Sequence, residues 1–449
     1  MLICRKKLFL SLLAFTILSY SNLSAQNEPE KDNLLTVSFQ LRPRAEYRSG
    51  VFQPLPEGQK PSALISQRNR FIINYHYKNL LTVQVSPQNI TVWGQDGLTQ
   101  GAGVKNGISF FEAWAKLHTS KTNFLQVGRQ VISLDDERFF GELDWAQGAR
   151  AHDAISFHIN KEKFLFKAFA AYNQNYKELY GNNLSNISGS LYSPVDATPY
   201  KWMQTLWAKY KVNTSSNFTF LLNNLGFQKA ISASDINAKN YFIQTIGANY
   251  FYSGSDWKFN ASAYTQLGKN HTGTKTNAFL LAFYLDKKLD KKWNLGLGTD
   301  YLSGNDVGTA GVQDNKAFTP YFGTNHKFYG SMDYYYAGNG HKGSGLVDIY
   351  VKTSLKPTAS TNFGFALHQF LSPNKIVDNN QNLSTNLGQE FDVDFGYSIH
   401  KYAKVVGGYS IYTTTSSLNF LKNANNPNSL QHWVWLSLNI NPNIFNVKF

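Results

Sequence analysis

Glu390-Phe391-Asp392-Val393-Asp394-Phe395-Gly396-Tyr397 alternates without a break. Phe391, Val393, Phe395 and Tyr397 share one parity; Glu390, Asp392, Asp394 and Gly396 share the other. Successive side chains of a strand point to opposite faces, so one face here is apolar and the other acidic. A soluble sheet buries such an apolar face in a core. A membrane barrel turns it to lipid and turns the polar face to a lumen. How often the pattern recurs, and in what rhythm, separates the two.

It recurs along almost the whole chain. Val347, Ile349 and Val351 oppose Asp348, Tyr350 and Lys352 in the same way. Eighteen segments of this kind are read, at 35–48, 66–77, 80–93, 109–118, 123–130, 152–159, 164–172, 203–211, 217–226, 241–252, 257–266, 276–285, 292–302, 345–354, 361–371, 387–398, 402–412 and 431–441. Short polar turns such as Lys78-Asn79, Asn160-Lys161-Glu162-Lys163 and Ser253-Gly254-Ser255-Asp256 alternate with long loops such as 131–151, 173–202 and 303–344. Short periplasmic turns and long extracellular loops are the signature of an outer-membrane barrel. The expected fold is therefore all-β, a transmembrane antiparallel barrel of about 18 strands. Segment 327–336 is a nineteenth candidate, but single-chain bacterial barrels have even strand numbers. It is assigned to loop 303–344, which, like loop 131–151, is expected to fold inward or to cap the pore. Asn441-Pro442-Asn443 is expected to end the last strand.

The N-terminus reads as a secretory signal. Arg5, Lys6 and Lys7 form a basic stretch, Leu8 to Tyr20 an apolar one, and Leu23-Ser24-Ala25 offers small residues for cleavage before Gln26. Two regions follow: a signal at 1–25 and a barrel at 26–449. Cys4, the one cysteine, precedes the apolar stretch, so no disulfide or thiol chemistry is expected. No later stretch approaches the apolar length of a membrane helix. The 26 Tyr, 33 Phe and 9 Trp have a natural place as interfacial girdles. The net charge of +14 falls to +11 without the three basic residues of the signal. Export argues against nucleic acid as the partner, and an anion-attracting channel in outer-membrane lipid accounts for the charge.

All nine arginines lie in the first 150 residues: Arg5, then Arg42, Arg44, Arg48, Arg68, Arg70, Arg129, Arg138 and Arg150. Arg42, Arg44, Glu46 and Arg48 take the parity opposite to Val37, Phe39, Leu41 and Tyr47; Arg68 and Arg70 oppose Phe71, Ile73 and Tyr75. An arginine facing lipid near the midplane costs about 2–4 kcal/mol, so these face the lumen. Guanidinium is always charged and grips carboxylates bidentately, which suits carboxylated or phosphorylated solutes. The alternative role is bracing, by pairing with acids on inward loops. Arg129 shares parity with Leu125 and Val127: a bulge at Gly128 would turn it inward, and otherwise it snorkels at the rim.

Residues 128–153 carry a dense run of charge: Gly128-Arg129-Gln130, Asp135-Asp136-Glu137-Arg138, Gly141-Glu142-Leu143-Asp144-Trp145, Arg150 and Asp153. In open water such pairs gain little; folded over the lumen they would order a constriction. Asp136, Glu137, Asp144 and Asp153 are the acids expected to orient the arginines. This segment resembles the alginate export family of outer-membrane porins. Arg129, Asp136, Glu137, Arg138, Asp144, Trp145, Arg150 and Asp153 match its pattern. Asp135 stands where glycine is usual, Phe139 for leucine, His152 for an aromatic and Ala154 for glycine. Further matches are His326-Lys327-Phe328-Tyr329-Gly330 with Asp333, Gly345-Leu346-Val347-Asp348, His368-Gln369-Phe370 and Gly388-Gln389-Glu390-Phe391-Asp392. The resemblance implies an eighteen-stranded barrel whose arginine-lined constriction passes an acidic polysaccharide outward.

Catalytic signatures are missing. There is no His-Glu-x-x-His, Gly-x-Ser-x-Gly or P-loop, and no nucleophile–base pair stands out. His118, His158 and His368 read as hydrogen-bonded wall residues. Glu390, Asp392 and Asp394 read as acids facing lumenal lysines rather than as a divalent-cation site. No enzyme, cofactor or metal is expected. The expected function is a passive, anion-selective channel for an alginate-like poly- or oligosaccharide, with periplasmic export partners. The alternative is a general or nutrient-uptake porin for small anionic solutes. Arg42, Arg44, Arg48, Arg68, Arg70, Arg129, Arg138 and Arg150 are the candidate solute contacts.

Overall fold

The computed structural model describes residues 33–95, 107–173, 200–229, 239–309, 314–337 and 340–449. The proposed signal at 1–25 lies outside them.

Eighteen antiparallel staves close on themselves. They are β1 (Leu34–Ser49), β2 (Ser62–Tyr77), β3 (Leu81–Val92), β4 (Ser109–His118), β5 (Phe124–Gln130), β6 (His152–Asn160), β7 (Phe164–Tyr172), β8 (Trp202–Lys211) and β9 (Ser216–Lys229), followed by β10 (Lys239–Ser253), β11 (Trp257–Lys269), β12 (Lys275–Lys288), β13 (Trp293–Leu302), β14 (Leu346–Leu355), β15 (Thr361–Leu371), β18 (Asn386–His400), β19 (Ala403–Thr414) and β20 (Leu430–Ile440). All eighteen expected segments are present, with ends displaced by a few residues. Segment 327–336 lies in the loop before β14, as the even count requires. Each strand pairs with its sequence neighbour, and β1 closes the barrel on β20, with Leu41 opposite Ile440 and Ser49 opposite His432. Closure leaves no unpaired edge to meet lipid.

The end of the chain departs from expectation. The last strand is interrupted at 441–442 and then resumes as β21 (Asn443–Lys448), which pairs with the start of β1, Leu34 opposite Lys448. Pro442 cannot donate to the ladder, but its carbonyl accepts from Phe39 N at 3.1 Å, so pairing continues across the break. Two elements had no signal in the sequence rhythm: a hairpin of β16 (Ile376–Asp378) and β17 (Gln381–Leu383), and helix α1 (Ser416–Lys422). Both lie in outer loops.

The outer face is the apolar band. On β12, Phe279, Leu281, Phe283 and Leu285 are exposed while Ala278, Leu280 and Ala282 are buried. Toward the loop side this face turns polar. Gln204, Asn224 and Gln244 occupy paired outward positions on β8, β9 and β10 and bond amide to amide at 2.7 Å. Gln369 and Gln389 do the same across β15 and β18 at 2.8 Å.

The hydrophobic core lies inside the barrel. Loop 131–151 and the long loop before β14 fold inward and set Ile132, Leu134, Phe139, Phe140, Phe318 and Phe322 against inward residues of the wall, Met203, Leu225, Ile243, Tyr264 and Leu280 among them. The inner face of β8–β12 is therefore apolar near the loops, which parity alone read as lumen. The two loops are joined by backbone bonds, Gly141 N to Phe322 O at 2.8 Å and Thr324 N to Glu137 O at 2.9 Å.

Candidate pore constriction

The wall of β1 and β2 supplies the cations. Gln40 faces Arg70 and Arg42 faces Arg68 in the ladder, so inward parity stacks the guanidiniums of neighbouring strands. Loop 131–151 supplies the counter-groups. Its path turns sharply at Asp135, Glu137, Leu143 and Ala149, all at positive φ. Such conformations are costly for non-glycine residues and persist only where packing holds them; here Phe139 and Phe140 are the anchors.

The loop places Asp144 against three arginines. Its carboxylate lies 3.3 Å from Arg42, 2.8 Å from Arg68 and 3.9 Å from Arg70. Arg42 also donates to the carbonyls of Asp144 (2.7 Å) and Ala146 (2.9 Å) and, through Nε, to Gln147 Oε1 (3.0 Å). Arg68 is fully buried. Arg70 lies 3.6 Å above the ring of Phe111 and donates to Gln88. A second cluster sits farther out on β1, where buried Glu46 accepts from Arg44 at 2.9 Å, from Arg48 at 2.9 Å and from Trp433 Nε1 at 3.2 Å. Five guanidiniums therefore meet two carboxylates on this wall.

The other named residues are dispersed. Arg138 reaches across to Asp300 on β13 (2.7 Å) and to Asp136 (2.8 Å), and its guanidinium stacks on Phe328 at 4.1 Å. Burial works against its charge, but Asp300 and Asp136 outweigh burial and hold it above its ordinary value. Arg150 is buried and donates to the carbonyls of Phe322, Gly323 and Gly141. Glu137 accepts from Ser133 (2.9 Å) and lies 3.5 Å from Lys327, so it orients no arginine.

Arg129 and Asp153 are corrected to the outer face. They are paired across β5 and β6 and bridged at 2.8 Å, and both share parity with exposed Val127 and Ile155. Gly128 does adopt φ +121, and a Cβ there would collide with the Ala113 carbonyl. The irregularity nevertheless leaves the pairing of Arg129 with Ala113 intact, so the side chain keeps its face. Of the two alternatives for Arg129, the rim position is the one observed.

The two inward loops meet at Trp145 and His326, whose rings stack in contact at 4.2 Å and 12° with a cavity to either side, and this junction is the waist. Arg44 sits 4.4 Å over Trp145, Trp433 and Trp435 pack edge-on against it, and His326 Nδ1 is 3.0 Å from Asp333. On the periplasmic side, cavities of about 670 and 600 Å³ are lined by Lys352, Lys356, Lys401, Lys404, Asp392 and Asp394, with Arg42 and Asp144 at the inner end. On the loop side a cavity of about 500 Å³ is lined by Arg44, Arg48, Trp145 and Trp433. His326 borders cavities on both sides.

The sequence reading missed Glu46, Asp300, Trp145 and Trp433 as site residues. Glu46 carried a usable signal, since it shares parity with Arg44 and Arg48 two residues to either side. Asp300 and Trp433 carried none, because their partners are distant in sequence. His118, His158 and His368 are hydrogen-bonded in the wall, to Thr82, Ser156 and Asp348. Among the described residues no His, Cys, Asp or Glu trio is placed to hold a metal ion.

The sequence profile of the alginate export family matches residues 33–433. Among solved structures the barrel is similar to OpdL of Pseudomonas aeruginosa (TM-score 0.62, 12% identity, 92% of this chain and 99% of that one). It is also similar to OccAB1 of Acinetobacter baumannii (TM-score 0.60, 12% identity, 95% and 100%) and to OccK11, or OpdR, of P. aeruginosa (TM-score 0.56, 11% identity, 94% and 99%). At such identities the likeness concerns the fold. No curated protein sequence matches. With a profile match over most of the chain and a closed eighteen-stranded barrel, the protein belongs to the alginate export family, as a channel of the Gram-negative outer membrane.

Proposed function

We propose that the channel is passive and anion-selective, and that it carries an acidic poly- or oligosaccharide outward through the membrane after residues 1–25 have directed export. The observation that carries this reading is the surplus of cations at the waist. Arg42, Arg68 and Arg70 share Asp144, and Arg44 and Arg48 share Glu46. Loop carbonyls take up much of the hydrogen bonding of Arg42, and Arg68 is fully buried beside Asp144, so these two act mainly as fixed charge. Arg44, Arg48 and the lumenal lysines are the groups that solute carboxylates meet. Weak successive sites of this kind let a polyanion step through without sticking. Outward direction and periplasmic export partners rest on family membership, and nothing in the barrel supplies energy.

A second reading, uptake of small anionic solutes, is favoured by one feature. The inward loops divide the lumen into spaces of 500 to 670 Å³, within the range of small-molecule sites. Single-channel block separates the two: a polymer channel is blocked by oligouronates at concentrations where small carboxylates have no effect. Replacing Arg42, Arg44 and Arg70 together with glutamate should move the reversal potential toward cations while the barrel still folds. Unchanged anion preference in that variant would assign the wall to bracing and the field to lysines.

A further inference from the structure

The barrel closes where β1 meets β20, and β21 runs on past that closure. The ladder to β19 ends with Ala403 opposite Ile440, followed by one bond from Asn441 N to Tyr402 O at 2.8 Å. Tyr402 belongs to the short turn between β18 and β19, so the arm beyond it stands at the periplasmic end. From Asn443 to Lys448 this arm pairs with β1, and among the described residues no strand pairs with its other side. All six residues are exposed. Ile444 is the extra residue of a bulge, and the ladder is regular below it. Asn33 and Phe449 exchange both backbone bonds, at 2.6 and 2.9 Å. In an antiparallel pair such double bonds fall on every second residue, so Val447 and Phe445 also bond β1. The N–H and C=O of Asn446 and Lys448 therefore point to the open side.

Three features of this edge narrow what can occupy it. Open backbone groups at strand spacing match another backbone and template strand addition. Phe445, Val447 and Phe449 share the outward face with Val37, Leu35 and Tyr75, so one face of an added strand meets an apolar row. Lys448 lies on the inward face, Lys78, Lys401 and Lys404 lie in or beside the neighbouring turns, and no acid occurs in 34–41, 72–85, 400–406 or 441–449. Opposite charges pair across a ladder and like charges repel, so the segment that suits this edge is acidic. A second barrel does not fit. Barrel strands tilt about 35–45° from the membrane normal, and facing walls of two barrels in one membrane tilt opposite ways, so their strands cross at roughly 70–90°. We infer that the open edge of β21 is a docking site for a periplasmic protein, which adds an extended, acidic segment with alternating apolar residues as one further strand. The inference does not depend on which solute the channel carries.

The test is photo-crosslinking of the full chain in its native host, with benzoylphenylalanine placed at Asn446 or at Lys448. Crosslinked residues, mapped by mass spectrometry, should fall in one acidic stretch of one periplasmic protein, two positions apart for the two placements. Asn446→Pro removes an N–H that β1 does not use, so the barrel should keep its heat-modifiable migration in gels. Crosslinking from Lys448 should then fall about tenfold, the scale of a lost hydrogen bond whose partner is left unpaired. Val447→Pro removes a bond to β1 and should instead destabilise the barrel. The reverse pattern in these two variants would overturn the assignment of the open side. Crosslinks to a second copy, or to residues 26–32 of the same chain, would overturn the partner. Crosslinks at unrelated residues, none from either position, or crosslinking that survives Asn446→Pro in a folded barrel would overturn strand addition.

Discussion

A single carboxylate organises the waist. Asp144 is part-exposed yet is the one acid within 4 Å of Arg42, Arg68 and Arg70 among the described residues. Removing one partner of a buried ionic cluster leaves the remaining charges uncompensated, which typically costs about 3–5 kcal/mol when burial is complete. Asp144→Asn keeps the shape, and solvent reaching the carboxylate should reduce the penalty below that range. The expected outcome is a folded channel with stronger anion preference and a less firmly seated loop. Reversal potentials measured across a salt gradient check this, and a shift toward cations would contradict the wall's assigned role. Glu46 shows the same economy: one buried carboxylate holds two guanidiniums and an indole.

At the scale of elements, the joined inward loops govern the opening. Trp145 on one stacks on His326 of the other, so the junction between the two cavities is built from both connections, with Trp433 and Trp435 of the wall packed against it. Trp145→Ala should raise unitary conductance, since it removes the indole through which the two loops meet; an unchanged conductance would place the narrowest point elsewhere. The far end of loop 131–151 is tied down by Asp135, whose carboxylate accepts from Trp207 Nε1 at 3.0 Å and Asn249 Nδ2 at 3.2 Å. Burial pushes this carboxyl up to about 6, against the hydrogen bonds from Thr219 and Trp207, with Asp136 reinforcing the rise and Lys209 opposing it. A carboxyl raised by folding favours the docked state when protonated. Docking is therefore strongest below about pH 4, weakens as pH rises through 6, and levels off above it. Current noise from loop movement should fall on acidification from pH 7 to 4.5. Asp135→Asn should flatten that response, and a response that survives the substitution would refer it to other groups, such as Glu142, which burial also raises.

For the whole molecule, the outward face marks where the membrane ends. Leu281 lies within the apolar band, whereas Gln204, Asn224 and Gln244 form a polar line nearer the loops. Leu281→Arg should destabilise the barrel by about 2–4 kcal/mol, and Asn224→Arg by about 1 kcal/mol or less. Urea titration of the barrel in lipid vesicles measures both; equal costs would mean that the amide line does not lie at the interface. The Arg129–Asp153 bridge fits the same boundary, as a neutralised pair at the rim.

The even strand number, a rule of the whole barrel, made 327–336 a loop. Period-two alternation was enough to predict all eighteen staves and the lumenal face of Arg42, Arg44, Arg68 and Arg70. Each follows from a rule that acts locally, because a side chain's face depends on parity and lipid penalises any error. The same parity already held Arg129 on the outward face. Pro442 misled, since a missing donor interrupts a strand without ending it when neighbouring groups still pair. Tertiary structure alone decided what lies inside the barrel: the apolar fill of its upper half, the partners Asp300 and Trp433, the meeting of Trp145 with His326, and the outer cavity. Those contacts join residues from about fifty to several hundred positions apart, through loops whose course is set by packing rather than by any repeating pattern.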